Sequence, residues 1–410
     1  MTKNYTVRNF SEVFDINPKT ILEKNTEIDF VEMKDIKINS RAVTSKYKKK
    51  FKGAGTKFQK GDTLFARITP CLENGKISQY NGNDVAFGST EFIILRGKKE
   101  ITTNDFTFYY AKWEKFRKFA IKNMTGTSGR QRVPVQIFDK WKVIVPTIEH
   151  QKIISFYLRQ LDNKIELNER INQNLEKIIN KLFKSWFINF DPVKSKEAGE
   201  SIGLSKDISD LFTDSFNDSI FGKIPQSWKI SKFGELLIPK RGKIITKKMI
   251  TPGEIPVVAG GINAAYYHSK SNATSPVVTI SASGNAGYVN LFYKDIWASD
   301  CSYINKDVTD FIYFSYSFLK VNQNKIFHLR HGAVQQHINP KDLIGLDIVL
   351  PPKSLISKYE QIVTPLHNKI SNNLNEINTL SSLRDLLLPK LISGELKVTD
   401  SQKLIDEVSV

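Results

Sequence analysis

The most regular alternation of apolar and polar positions occurs twice along the chain. In both copies the positions step by alternating intervals of four and three residues, which is typical of a helix that buries one stripe against another helix. We therefore predict two long helices that pair with each other; the alternative is that each helix packs only on its own domain. The first stripe is Leu161, Ile165, Asn168, Asn172, Leu175, Ile179, Leu182 and Trp186, and the second is Leu366, Ile370, Asn373, Ile377, Leu380, Arg384, Leu387 and Leu391.

Asn168 and Asn373 occupy the same position in the two stripes. A buried polar residue at a helix seam costs stability but fixes the register of the pair. About 30 residues at ~1.5 Å each would make a rod of about 45 Å. We expect such a rod to act as a spacer between whatever the two halves of the chain contain.

The chain also repeats itself outside these stripes, at an offset of 205 residues. Asp105-Phe106 recurs as Asp310-Phe311, and Val143-Ile144-Val145-Pro146 aligns with Ile348-Val349-Leu350-Pro351. The register holds from Asp105 to Phe187. Further upstream, Gly75-Lys76-Ile77 matches Gly287-Tyr288-Val289 at an offset of 212, so insertions separate the copies there. A repeat of this length indicates two duplicated domains.

Each copy shows the same order of elements. Strand patterns such as Phe92–Leu95 and Pro276–Ile280 precede an aromatic helix at residues 105–122 or 310–325, and a last strand ends at Pro146 or Pro351. We predict an α+β fold with two similar domains, joined by two antiparallel coiled-coil-like helices with pseudo-twofold symmetry. The expected parts are a first domain (1–150), a central helix (151–190), a linker with little core of its own (191–222), a second domain (223–354), a distal helix (355–393) and a tail (394–410).

The charge and residue composition of the chain indicate which class of molecule it binds. The 410 residues carry 60 Lys+Arg against 42 Asp+Glu, a formal charge of +18, with aromatic residues distributed among the cations. This balance favours nucleic acid over a membrane, because no apolar run approaches the ~20 residues that a spanning helix needs. The N-terminal residues contain no apolar signal core, and only Cys71 and Cys301 are present. Both features lead us to expect a reducing cytoplasm.

Three segments resemble the specificity subunits of type I restriction-modification enzymes. They are residues 182–193 (LFKSWFINFDPV), 222–228 (GKIPQSW) and 387–396 (LLPKLISGEL). The resemblance implies two target recognition domains that read a bipartite site in double-stranded DNA. It also implies a non-catalytic chain that holds two methyltransferase (modification) subunits and two ATP-driven restriction subunits. S-adenosylmethionine, ATP and Mg would then bind those partners, with no cofactor in this chain.

Motifs for catalysis are missing. Asn17-Pro18-Lys19 and Asn339-Pro340-Lys341 lack the second proline of an adenine methyltransferase motif, and there is no phosphate-binding glycine loop. His328, His331 and His337 have metal-like spacing, but their repeat counterparts are Asn123, Gly126 and Arg132, so we predict no metal site. Two alternatives remain open: the specificity chain of a related type IIB-like system, and a restriction enzyme whose active site is unrecognised.

The first predicted DNA contacts lie in the loop before each last strand. Glycines let the backbone approach phosphates, whereas Arg and Gln can pair with guanine and adenine edges. The alternative is an exposed turn without function. The candidates are Thr127, Ser128, Arg130, Gln131 and Arg132 in the first half, and Arg330, Gln335, Gln336 and His337 in the second.

A second set of candidates lies in a glycine-bearing turn of each half, for which a plain hairpin is the alternative. These residues are Arg67, Thr69 and Lys76 in the first half, and Ser281, Ser283 and Asn285 in the second. Two basic runs, residues 46–52 and 240–243, would suit phosphates or could form a solvated rim. From the latter run we select Arg241 and Lys243.

Overall fold

The chain forms two compact units in a computed structural model that describes residues 5–38, 40–201, 203–332 and 336–396. Unit 1 comprises residues 1–170 and 374–410, and unit 2 comprises residues 171–373. Each unit therefore contains one globular part together with a portion of each long helix. Most of the predicted tail, residues 397–410, lies outside the described residues.

The described residues of unit 1 form three sheets, with strand orders β1-β11, β2-β10-β7-β8-β4 and β5-β3-β9-β6. Its strands are β1 (Tyr5–Asn9), β2 (Phe14–Ile16), β3 (Glu27–Val31), β4 (Ala42–Val43), β5 (Tyr47–Lys50), β6 (Thr56–Gln59), β7 (Thr63–Ala66), β8 (Ile77–Tyr80), β9 (Val85–Gly88), β10 (Phe92–Gly97) and β11 (Lys142–Pro146). Its helices are α1 (Phe10–Val13), α2 (Asn104–Lys112), α3 (Glu114–Lys122) and the part of α4 (Ile148–Phe187) that ends at Arg170.

In unit 2 the part of the chain that the structure describes forms four sheets, with strand orders β12-β13, β14-β22, β15-β21-β18-β19 and β17-β16-β20. Its strands are β12 (Phe216–Ser219), β13 (Gly222–Pro225), β14 (Lys229–Lys232), β15 (Lys240–Arg241), β16 (Ile255–Val258), β17 (Tyr266–His268), β18 (Val277–Ser281), β19 (Val289–Phe292), β20 (Trp297–Ala298), β21 (Cys301–Ile304) and β22 (Asp347–Leu350). Its further helices are α5 (Asp191–Glu197), α6 (Lys206–Ser209), α7 (Phe233–Leu236), α8 (Ile312–Val321), α9 (Gln323–His328), α10 (Pro340–Ile344) and α11 (Lys353–Ser393), of which the last continues into unit 1 from Leu374.

The internal repeat is visible in the strand pairing. In unit 1, β7 pairs antiparallel with β10 and β8, and in unit 2, β18 pairs antiparallel with β21 and β19. The first strand of each domain also pairs antiparallel with its last strand, β1 with β11 and β14 with β22. The predicted α+β class and duplication are therefore confirmed.

The aromatic helix predicted in each copy is present but broken. In unit 1, α2 ends and α3 begins around Trp113, whose backbone is not helical (φ −57°, ψ 123°). The Trp113 ring is buried and packs edge-on against Tyr110 and Trp141, so the break places a large side chain in the core. In unit 2, the corresponding break between α8 and α9 falls at Asn322.

The predicted seam between the long helices is buried in both units. In unit 1 the α4 residues Leu161 and Ile165 share one core cluster with Ile377, Leu380, Leu387 and Leu391 of α11. In unit 2 the buried or partly buried residues Leu175, Ile179, Leu182 and Trp186 of α4 share a cluster with Leu366 and Ile370 of α11. Both clusters also contain residues of the globular parts, so each helix packs on the other helix and on its domain at once.

Hydrogen bonds at the seam show that the two helices run antiparallel. In unit 1, Asn168 Nδ2 donates to Glu376 Oε2 at 2.9 Å, and Asp162 lies opposite Arg384. In unit 2, Asn373 Nδ2 donates to Asn172 Oδ1 at 2.8 Å. In unit 1 the α11 partner is Arg384 for Asp162 and Glu376 for Asn168, so residue numbers decrease along α11 as they increase along α4. The polar residues in the predicted stripes thus find polar partners across the seam.

The unit 1 seam contains a buried ion pair. Arg384 Nη1 lies 2.9 Å from Asp162 Oδ1, and the two residues are 6% and 2% exposed. The Tyr109 hydroxyl donates to the second carboxylate oxygen at 2.7 Å, which ties the globular part to both helices. Asp385 also contacts Arg384, but its side chain is 66% exposed.

The repeat counterpart of Asp162 is His367, which makes a different contact in unit 2. Its ring stacks on Tyr313 with a centroid separation of 3.9 Å, and its Nδ1 lies 2.7 Å from the Tyr293 hydroxyl. Burial lowers the pKa of His367 to about 3, so the ring is neutral at pH 7. Equivalent positions of the two long helices thus carry a charged residue in unit 1 and a neutral, stacked ring in unit 2.

The segment predicted as a linker, residues 191–222, departs from the expectation of little core. It carries α5 and α6, and Val193 and Phe212 are buried in the unit 2 core. The Phe212 ring meets Trp186 of α4 edge-on, with centroids 5.1 Å apart. The segment is rich in Asp and Ser, and its few isolated apolar residues form no pattern that would predict a core. These apolar residues pack against the end of α4.

Breaking the buried ion pair tests the role of the seam. Asp162→Ala removes the buried carboxylate partner of the Arg384 guanidinium and the acceptor of the Tyr109 hydroxyl, so we expect a loss of about 3–5 kcal/mol in the free energy of unfolding. The matched control Asp385→Ala removes an exposed partner of the same arginine and should cost less than about 1 kcal/mol. Urea unfolding of the full chain measures both; equal losses would contradict this assignment.

Candidate nucleic-acid interface

In the first half, the two predicted DNA-contacting segments form one surface. We call residues 125–132 reading loop 1 and residues 67–76 turn 1. The Thr69 N–H donates to the Gln131 carbonyl at 3.0 Å, and the Gln131 N–H donates to Thr69 Oγ1 at 3.1 Å. The Val133 N–H then donates to the Arg67 carbonyl at 2.8 Å. Candidates that are about 60 residues apart in sequence are thus held side by side.

Reading loop 1 is a closed, exposed loop. Thr125 and Arg132 exchange backbone hydrogen bonds of 2.9 and 2.8 Å at its base. Between them Thr127, Ser128 and Arg130 are exposed, and Gln131 is half-buried. Their side chains make no hydrogen bond within the described part of the chain, so their donors and acceptors are available to a ligand.

Arg132 is exposed but already engaged. Its Nε and Nη2 atoms donate to the carboxylate of Glu91 at 2.7–3.0 Å, and this hydrogen bonding raises the pKa of the guanidinium. The arginine is thereby held in one orientation at the base of the loop. A guanidinium held in this way keeps fewer N–H groups for another partner than Arg130 does.

Two further candidates of turn 1 are partly withdrawn from the surface. Lys76 Nζ donates a hydrogen bond to the Met33 carbonyl at 2.8 Å, so its ammonium group already has a partner within unit 1. Arg67 is half-buried, and its Nε is buried without a hydrogen-bond partner among the described residues. An unpaired buried donor costs free energy, which makes Arg67 the residue of this turn with most to gain from a ligand.

The second half repeats this construction. We call residues 330–337 reading loop 2 and residues 281–287 turn 2. His331 and His337 exchange backbone hydrogen bonds of 2.9 and 2.8 Å, and the Ile338 N–H donates to the Ala282 carbonyl at 3.0 Å. Ile338 is the repeat counterpart of Val133, so Ala282 occupies the place of Arg67.

Among the described residues of reading loop 2, 330–332 and 336–337, the arginine is already engaged. Arg330 stacks over the Phe327 ring, and donates to the Ala286 carbonyl at 2.8 Å and to Gln336 Oε1 at 3.1 Å. Gln336 and His337 are exposed. The candidate Gln335 lies outside the described residues. His331 Nε2 lies 3.0 Å from Asp342 Oδ1.

Turn 2 corrects part of the prediction. Ser281 is 3% exposed and its hydroxyl donates to the Gly261 carbonyl at 3.4 Å, so this side chain is not placed to contact DNA. Ser283 Oγ donates to Asp300, which also binds Arg241 Nη2 at 2.9 Å. Asn285 and Lys243 are exposed, and their contact with DNA stays a prediction.

Glu91 and Asp300 were not predicted, although they occupy matching places. Glu91 directly precedes β10 and Asp300 directly precedes β21, the corresponding strand of the other unit. Each carboxylate holds an arginine among the predicted contacts, Arg132 in one unit and Arg241 in the other. The pair was missed because its spacing is 209 residues, which matches neither offset of the sequence repeat.

Glycine is required at the end of each turn. Gly75 and Gly287 have φ values of +73° and +78°, and each lies two residues before a strand, β8 or β19. A Cβ at Gly75 would meet Arg117 Nη1 at 2.5 Å, and one at Gly287 would meet Ile326 Cγ2 at 3.0 Å. The match predicted between these glycines therefore reflects a shared left-handed turn against a helix.

Over the described residues, no group of three or more His, Cys, Asp or Glu is arranged to hold a metal ion. In the same residues, no helix has the length and apolar content to cross a membrane.

Fold and loops together define a duplicated α+β protein with one loop-and-turn surface in each half. The family model described as the type I restriction modification DNA specificity domain matches residues 2–177 and again residues 225–381. The chain belongs to this family, which confirms the resemblance seen in its sequence.

Individual relatives agree with this assignment. The chain is 26% identical over 330 residues to the type I restriction enzyme MjaIX specificity subunit of Methanocaldococcus jannaschii, covering 74% of this chain and 71% of that one. It is 24% identical over 411 residues to the HindI specificity subunit of Haemophilus influenzae, covering 82% and 87%. The crystal structure of a type I restriction-modification S subunit from M. genitalium shares the fold, with a TM-score of 0.59 at 15% identity and coverage of 95% and 96%.

The link between turn 1 and reading loop 1 can be tested at Thr69. Thr69→Val removes the acceptor of the Gln131 N–H, and we expect a loss of about 1 kcal/mol in the free energy of unfolding. Thr69→Ser keeps the hydroxyl and should retain most of the wild-type value. Chemical denaturation compares the three proteins, and a serine variant as unstable as the valine variant would refute the role of the hydroxyl.

Proposed function

We propose that this chain is the DNA-reading specificity subunit of a type I restriction-modification complex, and that each half reads one part of a bipartite site in double-stranded DNA. The observation that carries the proposal is the duplicated loop-and-turn surface, found in a chain whose family is defined by DNA specificity. A duplicated surface fits a target with two separate parts.

The chemistry of reading loop 1 suits direct contact with bases. Arg130 can donate two hydrogen bonds to guanine O6 and N7, and Gln131 can bond adenine N6 and N7. Gly126 and Gly129 have φ values of +122° and +79°, and a loop without side chains at these points can come close to the backbone. Thr127 and Ser128 supply hydroxyls for phosphate oxygens.

Reading loop 2 differs in residues but keeps the same frame. Gln336, His337 and Asn285 offer donors and acceptors in place of the arginine-rich set of the first half. Matching backbone hydrogen bonds hold the loop in the same place in each half, whereas the side chains of the two loops differ. This division lets two copies of one fold recognise different sequences.

The chain supplies recognition, and partner subunits supply chemistry. We expect two modification subunits and two restriction subunits in the complex, with S-adenosylmethionine, ATP and Mg bound to them, in the cytoplasm. The outer face of α4 in unit 1 supports a docking role: Phe156 and Leu167 are 54% and 50% exposed. Three turns of a helix separate them, so they lie on the same face.

Replacing Arg130 and Gln131, whose side chains have no hydrogen-bond partner within the described part of the chain, tests the proposal. Arg130→Ala and Gln131→Ala should each weaken binding of the complex to its target by about 1–3 kcal/mol and relax selection in one part of the site. Lys48→Ala, in the exposed run of β5, should weaken all sequences alike. Binding to the target and to single-base variants of it measures both effects.

Unchanged base selection in the Arg130→Ala, Gln131→Ala double variant would move the reading site away from loop 1. Relaxed selection in the Lys48→Ala variant would likewise contradict this division of roles.

A further inference from the structure

Two arginines among the predicted contact residues are neutralised by carboxylates, Arg132 by Glu91 and Arg241 by Asp300. Arg130 and Lys243 are exposed and have no carboxylate partner in the described part of the chain. Phosphate contacts dominate the affinity of proteins for DNA, and further exposed cations of unit 1 can add to those of the predicted contact residues.

A groove in unit 1 brings lysines together from three segments. We call it the lysine groove: it has a volume of about 760 Å³, and its lining includes Lys34, Lys49, Lys50, Lys52, Phe30 and Phe87. Lys34 lies on a 3₁₀ turn at Met33–Asp35, Lys49 and Lys50 on β5, and Lys52 on the loop after β5. The four lysines are exposed.

The charge of the groove is mostly uncompensated. Glu32 is the acidic residue of its lining, and it pairs with Lys34. Lys49 Nζ stands over the Phe30 ring at 4.3 Å, a contact that orients the cation without neutralising it. Lys50 and Lys52 have no carboxylate partner in the part of the chain that the structure describes. Ser89 and Thr90 add hydroxyls to the lining.

Protection of a sheet edge explains only part of this arrangement. β5 is the edge of the sheet β5-β3-β9-β6, and lysines on edge strands prevent pairing with other chains. That role would account for Lys49 and Lys50. It does not account for Lys34 and Lys52, which reach the same groove from outside the strand.

The other unit has a similarly placed edge. β5 is antiparallel to β3, which is parallel to β9; β17 is antiparallel to β16, which is parallel to β20. On β17, Tyr266 and Tyr267 are 38% and 55% exposed, and Lys247 Nζ stands 5.3 Å from the Tyr266 ring centroid. A cation over an aromatic ring thus recurs beside the matching edge strand.

Resting on the proposed function, we infer that the lysine groove binds the phosphodiester backbone of duplex DNA, separately from the loop that reads bases. Lys50 and Lys52 make the contacts, and Lys34 and Lys49 raise the local potential. Affinity and sequence selection then come from different elements of unit 1. The groove acts on any DNA sequence, because a phosphate carries no base information.

Salt dependence of binding measures these contacts directly. Each neutralised phosphate contributes about 0.9 to the slope of log affinity against log salt concentration. For the full chain with a duplex of unrelated sequence, Lys50→Ala with Lys52→Ala should reduce the slope by up to about 1.8. The matched control, Lys99→Ala with Lys140→Ala, removes two exposed lysines of unit 1 outside the groove and should leave the slope unchanged.

An unchanged slope in the groove variant, or an equal fall in the control, would overturn the inference. A fall seen only with single-stranded DNA, or no duplex binding by the wild-type chain at low salt, would overturn it as well. Because the probe lacks the target, the result is independent of base reading. If loop 1 proves not to select bases while the slope still falls, the groove stands and the base-reading role that the proposed function gives to loop 1 fails.

Discussion

The structure depends on the burial of one apolar stripe along each long helix. In unit 1, α11 contributes residues such as Leu387 and Leu391 to a core whose buried members outside α11 come from the first 165 residues of the chain. In unit 2 the end of α4 contributes Phe183 and Trp186 to the core around Tyr359. Neither globular part has a complete core without a helix segment from a distant part of the sequence.

Polar residues in the seam make this pairing selective. A buried ion pair such as Asp162–Arg384 contributes little net stability, because desolvation offsets the attraction, but losing one partner is costly. His367 occupies the equivalent position in unit 2 and is neutral, stacked on Tyr313. An apolar residue opposite Asp162 would leave a buried charge unpaired. The Asp162–Arg384 pair therefore favours the register in which these two residues lie opposite each other in unit 1.

Patterns along the chain predicted the elements well and the side-chain partners poorly. The heptad stripes, strands and matched loops followed from periodicity and repetition, which are properties of local sequence. The pairs Glu91–Arg132 and Asp300–Arg241 could not be found in this way, since they join residues about 40 and 60 positions apart in sequence. Ser281 looked like a loop residue, but it ends β18 and is buried. The hydrogen bond from Lys76 to the Met33 carbonyl likewise could not be predicted from the sequence and is visible only in the folded structure.

We propose that one chain separates three tasks: a seam that completes both cores, loops that offer hydrogen-bond donors and acceptors to bases, and a lysine groove that contacts the DNA backbone. The central claim is that each half reads its own part of a split DNA target. It is tested most directly by replacing residues 1–150 with the corresponding domain of another family member and sequencing the methylome of cells that express the hybrid. The account predicts that one part of the modified site changes while the other part is retained. A site in which both parts change together would contradict it.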